Sequence, residues 1–112
     1  MKEQKCCPLE ILLSQISGQW TQYILWVLAT NGSLRFGELK RNINGISTKV
    51  LTERLRMLES LGIVFRHYEP TIPPQVTYGL TVRGGELSEA LNHLYNLAVR
   101  WYGSDEKTTA SQ

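Results

Sequence analysis

Four polar side chains at helical spacing, Thr48, Lys49, Thr52 and Arg56, join two small hydroxyls to two long cations. Cations and hydroxyls of this kind donate to phosphate oxygens, and an arginine fork can also grip the edge of a guanine. Glu53 shares that side; it can accept from a cytosine amine, or pair with a cation on its own helix. Ser47 stands just before the group. Its hydroxyl can take up an orphan backbone N–H as a helix cap, alone or together with a phosphate contact. Lys40, Arg41 and Arg66 lie on either side and suit phosphate contacts or a solvated surface equally well, while Arg35, at a helix start beside the basic patch, favours phosphate contact slightly. Arg54 and Glu59 read as surface charges. Outside a helix that faces a partner, the whole set would be only a solvated face.

A different chemistry is available at Cys6-Cys7-Pro8. A thiol at the N-terminus of a helix, with Lys5 nearby, is placed for raised reactivity. That makes Cys7 a candidate redox sensor; the alternative is a small, inert apolar residue. Cys6 is a bystander or a second thiol. Neighbouring cysteines do not staple a fold, so a disulfide here would link subunits. His67 and His93 are 26 residues apart, with no Cys or Asp at ligand spacing, so no metal site is expected. No Ser/His/Asp order, no paired carboxylates and no phosphate loop of the GxxxxGK[ST] type occurs, so neither an enzyme nor a cofactor is expected.

The 112 residues suit one domain, with a core small enough that pairing of two copies would help to complete it. A net charge of +2 is too mild to name a partner. Its distribution is more telling. From Arg35 to Arg66 seven basic residues face three acidic ones, a net +4, while the residues before balance and those after sum to −2. The positive charge coincides with the polar helix, as contact with a polyanion requires. No stretch reaches the roughly 18 apolar residues of a membrane span. The N-terminal segment has no apolar core of a signal peptide, so a cytoplasmic location is expected.

The elements that would position these residues follow from spacing. Pro8 opens a first helix with Leu9, Leu12, Leu13 and Ile16 as its stripe, broken by Ser17-Gly18. A second helix from about Gln19 to Thr30 is apolar almost all round and should be central and buried, Trp26 included. Leu34-Arg35 can form a short strand. A helix over about Phe36–Ile43 burying Phe36, Leu39 and Ile43, a turn at Asn44-Gly45-Ile46, and a helix over Thr48–Ser60 make a helix-turn-helix. Val50, Leu51, Leu55 and Leu58 form the buried side of that second helix, and Gly62 closes it. Extended runs at Ile63–Glu69 and Gln75–Leu80, with Pro70-Thr71-Ile72-Pro73-Pro74 between them, add a hairpin. Val64, Arg66 and Tyr68 should share one face of their strand, and Val76, Tyr78 and Leu80 one face of its partner. The whole is a mostly α winged helix with a small β-hairpin wing, a scaffold that offers its second helix to the DNA major groove.

Thr81 can cap a last helix from about Glu86 to Tyr102, its first turn weakened by Gly84-Gly85. Leu87, Leu91, Leu94, Leu97, Ala98, Trp101 and Tyr102 give it a broad apolar stripe with little chain left to cover it, which predicts a dimer interface. Residues 1–103 thus form one winged-helix domain with N- and C-terminal dimerisation helices, and 104–112 a polar, disordered tail. Trp20, Trp26 and Trp101 read as core or interface, or as the lining of a small effector pocket near the dimer seam.

With these segments in view, the chain resembles the HxlR-type bacterial transcriptional regulators, a winged-helix group related to the MarR regulators. The likeness rests on Cys7-Pro8, Gly18-Gln19-Trp20-Thr21, Arg35-Phe36-Gly37-Glu38-Leu39, Gly45-Ile46-Ser47, Leu51-Thr52-Glu53-Arg54-Leu55, Leu61-Gly62-Ile63-Val64, the run Pro73 to Thr81, and Gly84. It extends from about Cys7 to Trp101. The resemblance implies a homodimer joined by its N- and C-terminal helices. It also implies a recognition helix in the major groove of a palindromic site and a wing near the minor groove. In some members the cysteine before the proline, here Cys7, senses oxidants or electrophiles. The chain departs from the pattern at Thr48, where Gln is frequent, and at Gln75 and Gly85, where basic residues are frequent. Different bases and a weaker wing contact are the expected result. The expected function is sequence-specific binding of double-stranded DNA as a homodimeric regulator, a repressor by blocking polymerase, with any small-molecule effector unspecified. The alternative is a winged-helix protein-docking module that does not read sequence.

Overall fold

The computed structural model describes residues 7–103. The expectations for Lys5, Cys6 and the tail 104–112 lie outside the described residues. The elements run α1 (Pro8–Ile16), α2 (Thr21–Asn31), β1 (Leu34–Arg35), α3 (Phe36–Asn42), α4 (Thr48–Ser60), β2 (Val64–Glu69), β3 (Gln75–Leu80) and α5 (Val82–Ala98), ending in a π-helical turn, Val99–Gly103. No helix among the described residues is long and apolar enough to cross a membrane.

α2, α3 and α4 pack around one core. Ile24, Leu25, Val27 and Leu28 of α2 meet Leu39 of α3, Ile43 and Ile46 of the turn, and Leu51, Leu55 and Leu58 of α4, with Ile63 and Val64 closing one side. The 3.6-residue period of α4 leads it to bury Leu51, Leu55 and Leu58 and to leave the opposite face to solvent. Ser47 is its cap, its Oγ accepting from the Val50 N–H at 3.1 Å. Gly45, at φ 88°, supplies the left-handed residue that the tight turn between α3 and α4 needs.

The three strands form an antiparallel sheet in the order β1-β3-β2, so the short Leu34-Arg35 strand does join the hairpin. The register pairs Val64 with Leu80, Arg66 with Tyr78 and Tyr68 with Val76, which brings the two alternating sets together on one face of the sheet. On the reverse face Phe65 lies opposite Gly79. A side chain at Gly79 would collide with the Phe65 ring and with Ser33 Oγ.

Four elements depart from the sequence reading in their bounds. α2 starts at Thr21 and ends at Asn31, because Trp20 takes a left-handed conformation (φ 77°) that no α-helix continues. α3 ends at Asn42, its next residue Ile43 being extended. β2 starts at Val64. α5 starts at Val82, so Gly84-Gly85 lie inside its first turn. The reason is tertiary. Thr81 Oγ1 accepts from the Gly84 N–H at 3.0 Å and donates toward Gly62 O at 2.6 Å and Ile63 O at 3.1 Å. Gly84 itself sits where any Cβ would run into the Ile63 carbonyl. A residue that weakens a helix by propensity is the one that lets this helix dock.

A further correction concerns α2. It is central, but not buried all round: Trp26 is 51% exposed and Tyr23 62%. Leu9, Ile11 and Leu13 of α1 and Leu94, Tyr95, Trp101 and Tyr102 near the C-terminus are exposed as well. The apolar stripes of α1 and α5 are present, and in a single copy they are largely uncovered.

Candidate nucleic-acid interface

The candidate interface is built on α4. Thr48, Lys49 and Arg56 are exposed on its outer face, and Thr52 is half-buried between them. With steps of one, three and four residues they fall on one strip of the helix, opposite Leu51, Leu55 and Leu58. Ser47 begins the strip, its hydroxyl held by the cap and its residue exposed. Glu53 is exposed beside them. No acidic residue lies in the first turn of α4, so its N-terminal N–H groups and the helix dipole face an approaching anion without a competing carboxylate.

The remaining candidates do not all gather there. Lys40 and Arg41 sit in the last turn of α3, exposed, where the helix dipole also favours cations. Arg35 is the N-cap residue of α3, and its backbone N–H donates to Glu38 Oε1 at 2.9 Å. In the sheet, Leu34 and Arg66 both pair with Tyr78, whereas Arg35 and His67 both pair with Thr77. Residues paired across an antiparallel sheet point to the same side. Arg66 therefore shares the Leu34–Tyr78 face, and Arg35 is on the other face with His67. The two arginines belong to opposite faces of the wing sheet.

One residue acts differently from the sequence reading. Arg54 is more than a surface charge: its Nε donates to the Gln19 carbonyl at 2.9 Å, tying α4 to the segment that opens α2. Nothing local in the sequence signals that bond, which spans 35 positions.

Two clefts flank α2. One, of about 880 Å³, runs between α2 and α5 and is lined by Trp26, Leu91, Leu94, Tyr95 and Ala98 among others, with the Trp26 and Tyr95 rings 6.5 Å apart. The other lies between α2 and the turn of the helix-turn-helix. Trp20 and Trp26 meet at this second cleft; Trp101 does not line it and packs instead on Tyr102 at 6.0 Å. Cys7 is exposed and forms the N-cap position of α1, its carbonyl accepting from the Ile11 N–H at 3.1 Å.

A three-helix core carrying a helix-turn-helix and a three-stranded wing is the architecture of a winged helix-turn-helix protein. Comparison with known proteins agrees. The family model described as HxlR-like helix-turn-helix matches residues 15–106, and the chain belongs to that family. It is 40% identical over 93 residues to an uncharacterized HTH-type transcriptional regulator of Halalkalibacterium halodurans, covering 83% of this chain and 82% of the relative. Among solved structures it is similar to the reduced form of the transcriptional regulator YodB from B. subtilis, with 35% identity, a TM-score of 0.76 and coverage of 86% and 94%. It is likewise similar to the redox regulator HypR in its oxidized form, with 34% identity, a TM-score of 0.74 and coverage of 82% and 94%.

Proposed function

We propose that the chain is a cytoplasmic, homodimeric repressor that reads a palindromic operator through α4 and responds to oxidants or electrophiles through Cys7. The observation that carries this reading is the strip of Ser47, Thr48, Lys49, Thr52 and Arg56 on the uncovered face of α4. Phosphate contacts from Lys40, Arg66 and Arg35, on their different faces, supply affinity, and the α4 side chains supply base selection. Thr48 is too short to reach where a longer amide would, so the operator differs from those of relatives with Gln there.

Dimerisation is supported by the uncovered apolar surface on α1, on Trp26 of α2 and along α5. A second copy that buries it sets the two α4 helices about one helical turn of DNA apart, or a multiple of that. Cys7 heads α1, within the element that such a seam uses. The redox states named for the similar HypR and YodB structures support a thiol response in this chain too. A diamide-class oxidant takes two electrons and two protons from two thiols, leaving a disulfide. Across a dimer seam the available pair is Cys7 and a cysteine of the second copy. A new bond or adduct there turns one protomer against the other, and half-sites that no longer match are not engaged together.

Fluorescence anisotropy on a duplex from the gene's own upstream region tests the reading, with a scrambled duplex as control, under reductant and again after diamide. Selective binding that is lost on oxidation, and retained on oxidation in Cys7→Ser, is the expected result. Equal weak binding to both duplexes, confirmed by a selection from random DNA that enriches nothing, would overturn operator recognition. A Cys7→Ser protein that responds to diamide like the parent would overturn the thiol switch.

A further inference from the structure

We propose that the cleft between the start of α2 and the turn of the helix-turn-helix binds a neutral, planar aromatic molecule, and that Gln19 and Arg54 transmit its occupancy to α4. The cleft holds about 460 Å³, within the range of about 300–1,000 Å³ usual for small-molecule sites. Trp20, Tyr23 and Trp26 form its aromatic side, with the Trp20 and Tyr23 rings 6.1 Å apart and tilted by 50°. Gln19, Asn42 and Asn44 add carboxamides, which both donate and accept hydrogen bonds. No group charged at neutral pH lines it among the described residues. Rings offer a planar guest stacking and edge contacts, and carboxamides fix its polar substituents. An organic ion would find no counter-charge on that lining. Those two facts select a neutral aromatic over an organic anion or cation.

The same cleft is wired to the recognition helix. Trp20 holds a left-handed backbone that bulky residues avoid, the kind of outlier that concentrates at ligand clamps and switches. Its neighbour Gln19 is bonded to Arg54 of α4 at 2.9 Å. The far edge of the Trp20 ring stands 3.6 Å from the position a Cβ would take at Gly45, in the turn before α4. Asn42 and Asn44 belong to the end of α3 and that same turn. A guest wedged between Trp20 and the asparagines therefore presses on both ends of the α2-to-α4 linkage. The cleft adjoins the one between α2 and α5 and shares Tyr23 and Trp26 with it, so a second copy of the chain is the competing occupant.

The test titrates the full-length protein with 2-naphthol and, separately, with 2-naphthoate, the anion on the same ring frame, following 1H–15N spectra. Saturable movement of the Trp20 and Trp26 indole and the Asn42 and Asn44 side-chain signals is expected, with Trp101 still. 2-Naphthoate should bind about tenfold or more weakly. Asn44→Ala and Tyr23→Ala, both at exposed positions, should weaken 2-naphthol about fivefold or more while the melting temperature holds. No saturable shift, equal movement of Trp101, equal affinity for the anion, or dimer contacts filling the cleft would each overturn the site. The coupling rests on the operator-binding reading. Saturating 2-naphthol should change operator affinity about fivefold or more, and Arg54→Gln should abolish that change while 2-naphthol still binds. An operator affinity indifferent to bound 2-naphthol would overturn the coupling. A protein that binds no operator would instead overturn the DNA-binding reading, and the spectra would still decide the site.

Discussion

Lys40 and Arg56 should separate the two contributions to DNA binding. Lys40→Gln removes one phosphate partner: it should weaken operator and scrambled duplex alike and reduce the slope of log K against log salt by about 1. Arg56→Gln should cost more on the operator than on the scrambled duplex, by about 1–3 kcal/mol for a lost bidentate base contact. Both residues are exposed, so the urea midpoint should hardly move. Ser47→Ala should lower stability by about 1 kcal/mol through the lost cap to Val50. The sharper structural test is Gly84→Ala. By helix propensity alone it should stabilise α5, yet the new methyl meets the Ile63 carbonyl. Urea denaturation should show a loss of about 1–3 kcal/mol, the usual cost of overpacking. A gain in stability would mean that α5 can lift off the sheet freely.

At the scale of elements, what was legible in the sequence was periodic. Leu51, Leu55 and Leu58 recur at helical spacing and Ser47 precedes them, so α4 was read over Thr48–Ser60, where it stands. The alternation in Val64–Tyr68 and Val76–Leu80 likewise announced the paired face of the wing. What escaped was set by contacts distant in sequence. Glycine pairs signal weakness to any local reading, and only the approach of Ile63 explains why Gly84 sits within α5. A tryptophan does not announce a left-handed backbone, so apolar spacing alone starts α2 two residues too early. Arg54 looks like its neighbours until its partner at Gln19 is seen. The clustering of candidate cations in sequence also concealed that β3 separates Arg35 and Arg66 by face. One prediction belongs to this scale: Leu55, 1% exposed at the centre of the core, should cost about 2–5 kcal/mol on replacement by Ala. Such a loss would consume much of the stability of a domain this small.

For the whole molecule, the uncovered surface on α1, α2 and α5 is the strongest constraint. Leu94→Glu with Trp101→Glu, both at exposed positions in one copy, should leave the domain folded but convert it to a monomer in sedimentation equilibrium. Operator affinity should fall by about 10²-fold or more, because two linked α4 helices gain from effective concentration and one does not. A pair of charges that leaves the dimer intact would place the seam elsewhere. The strand order carries a consequence for how the protein is made. β3 is the middle strand, yet it is the last of the three to leave the ribosome. Until residue 80 has emerged, β1 and β2 have no partner, and Ile63 and Val64 lack the sheet that helps to cover them. A nascent chain stalled in the Pro70–Pro74 stretch would therefore expose open strand edges beside an unfinished core. Fragments ending between the two hairpin strands should therefore aggregate in a turbidity assay where the full-length protein does not.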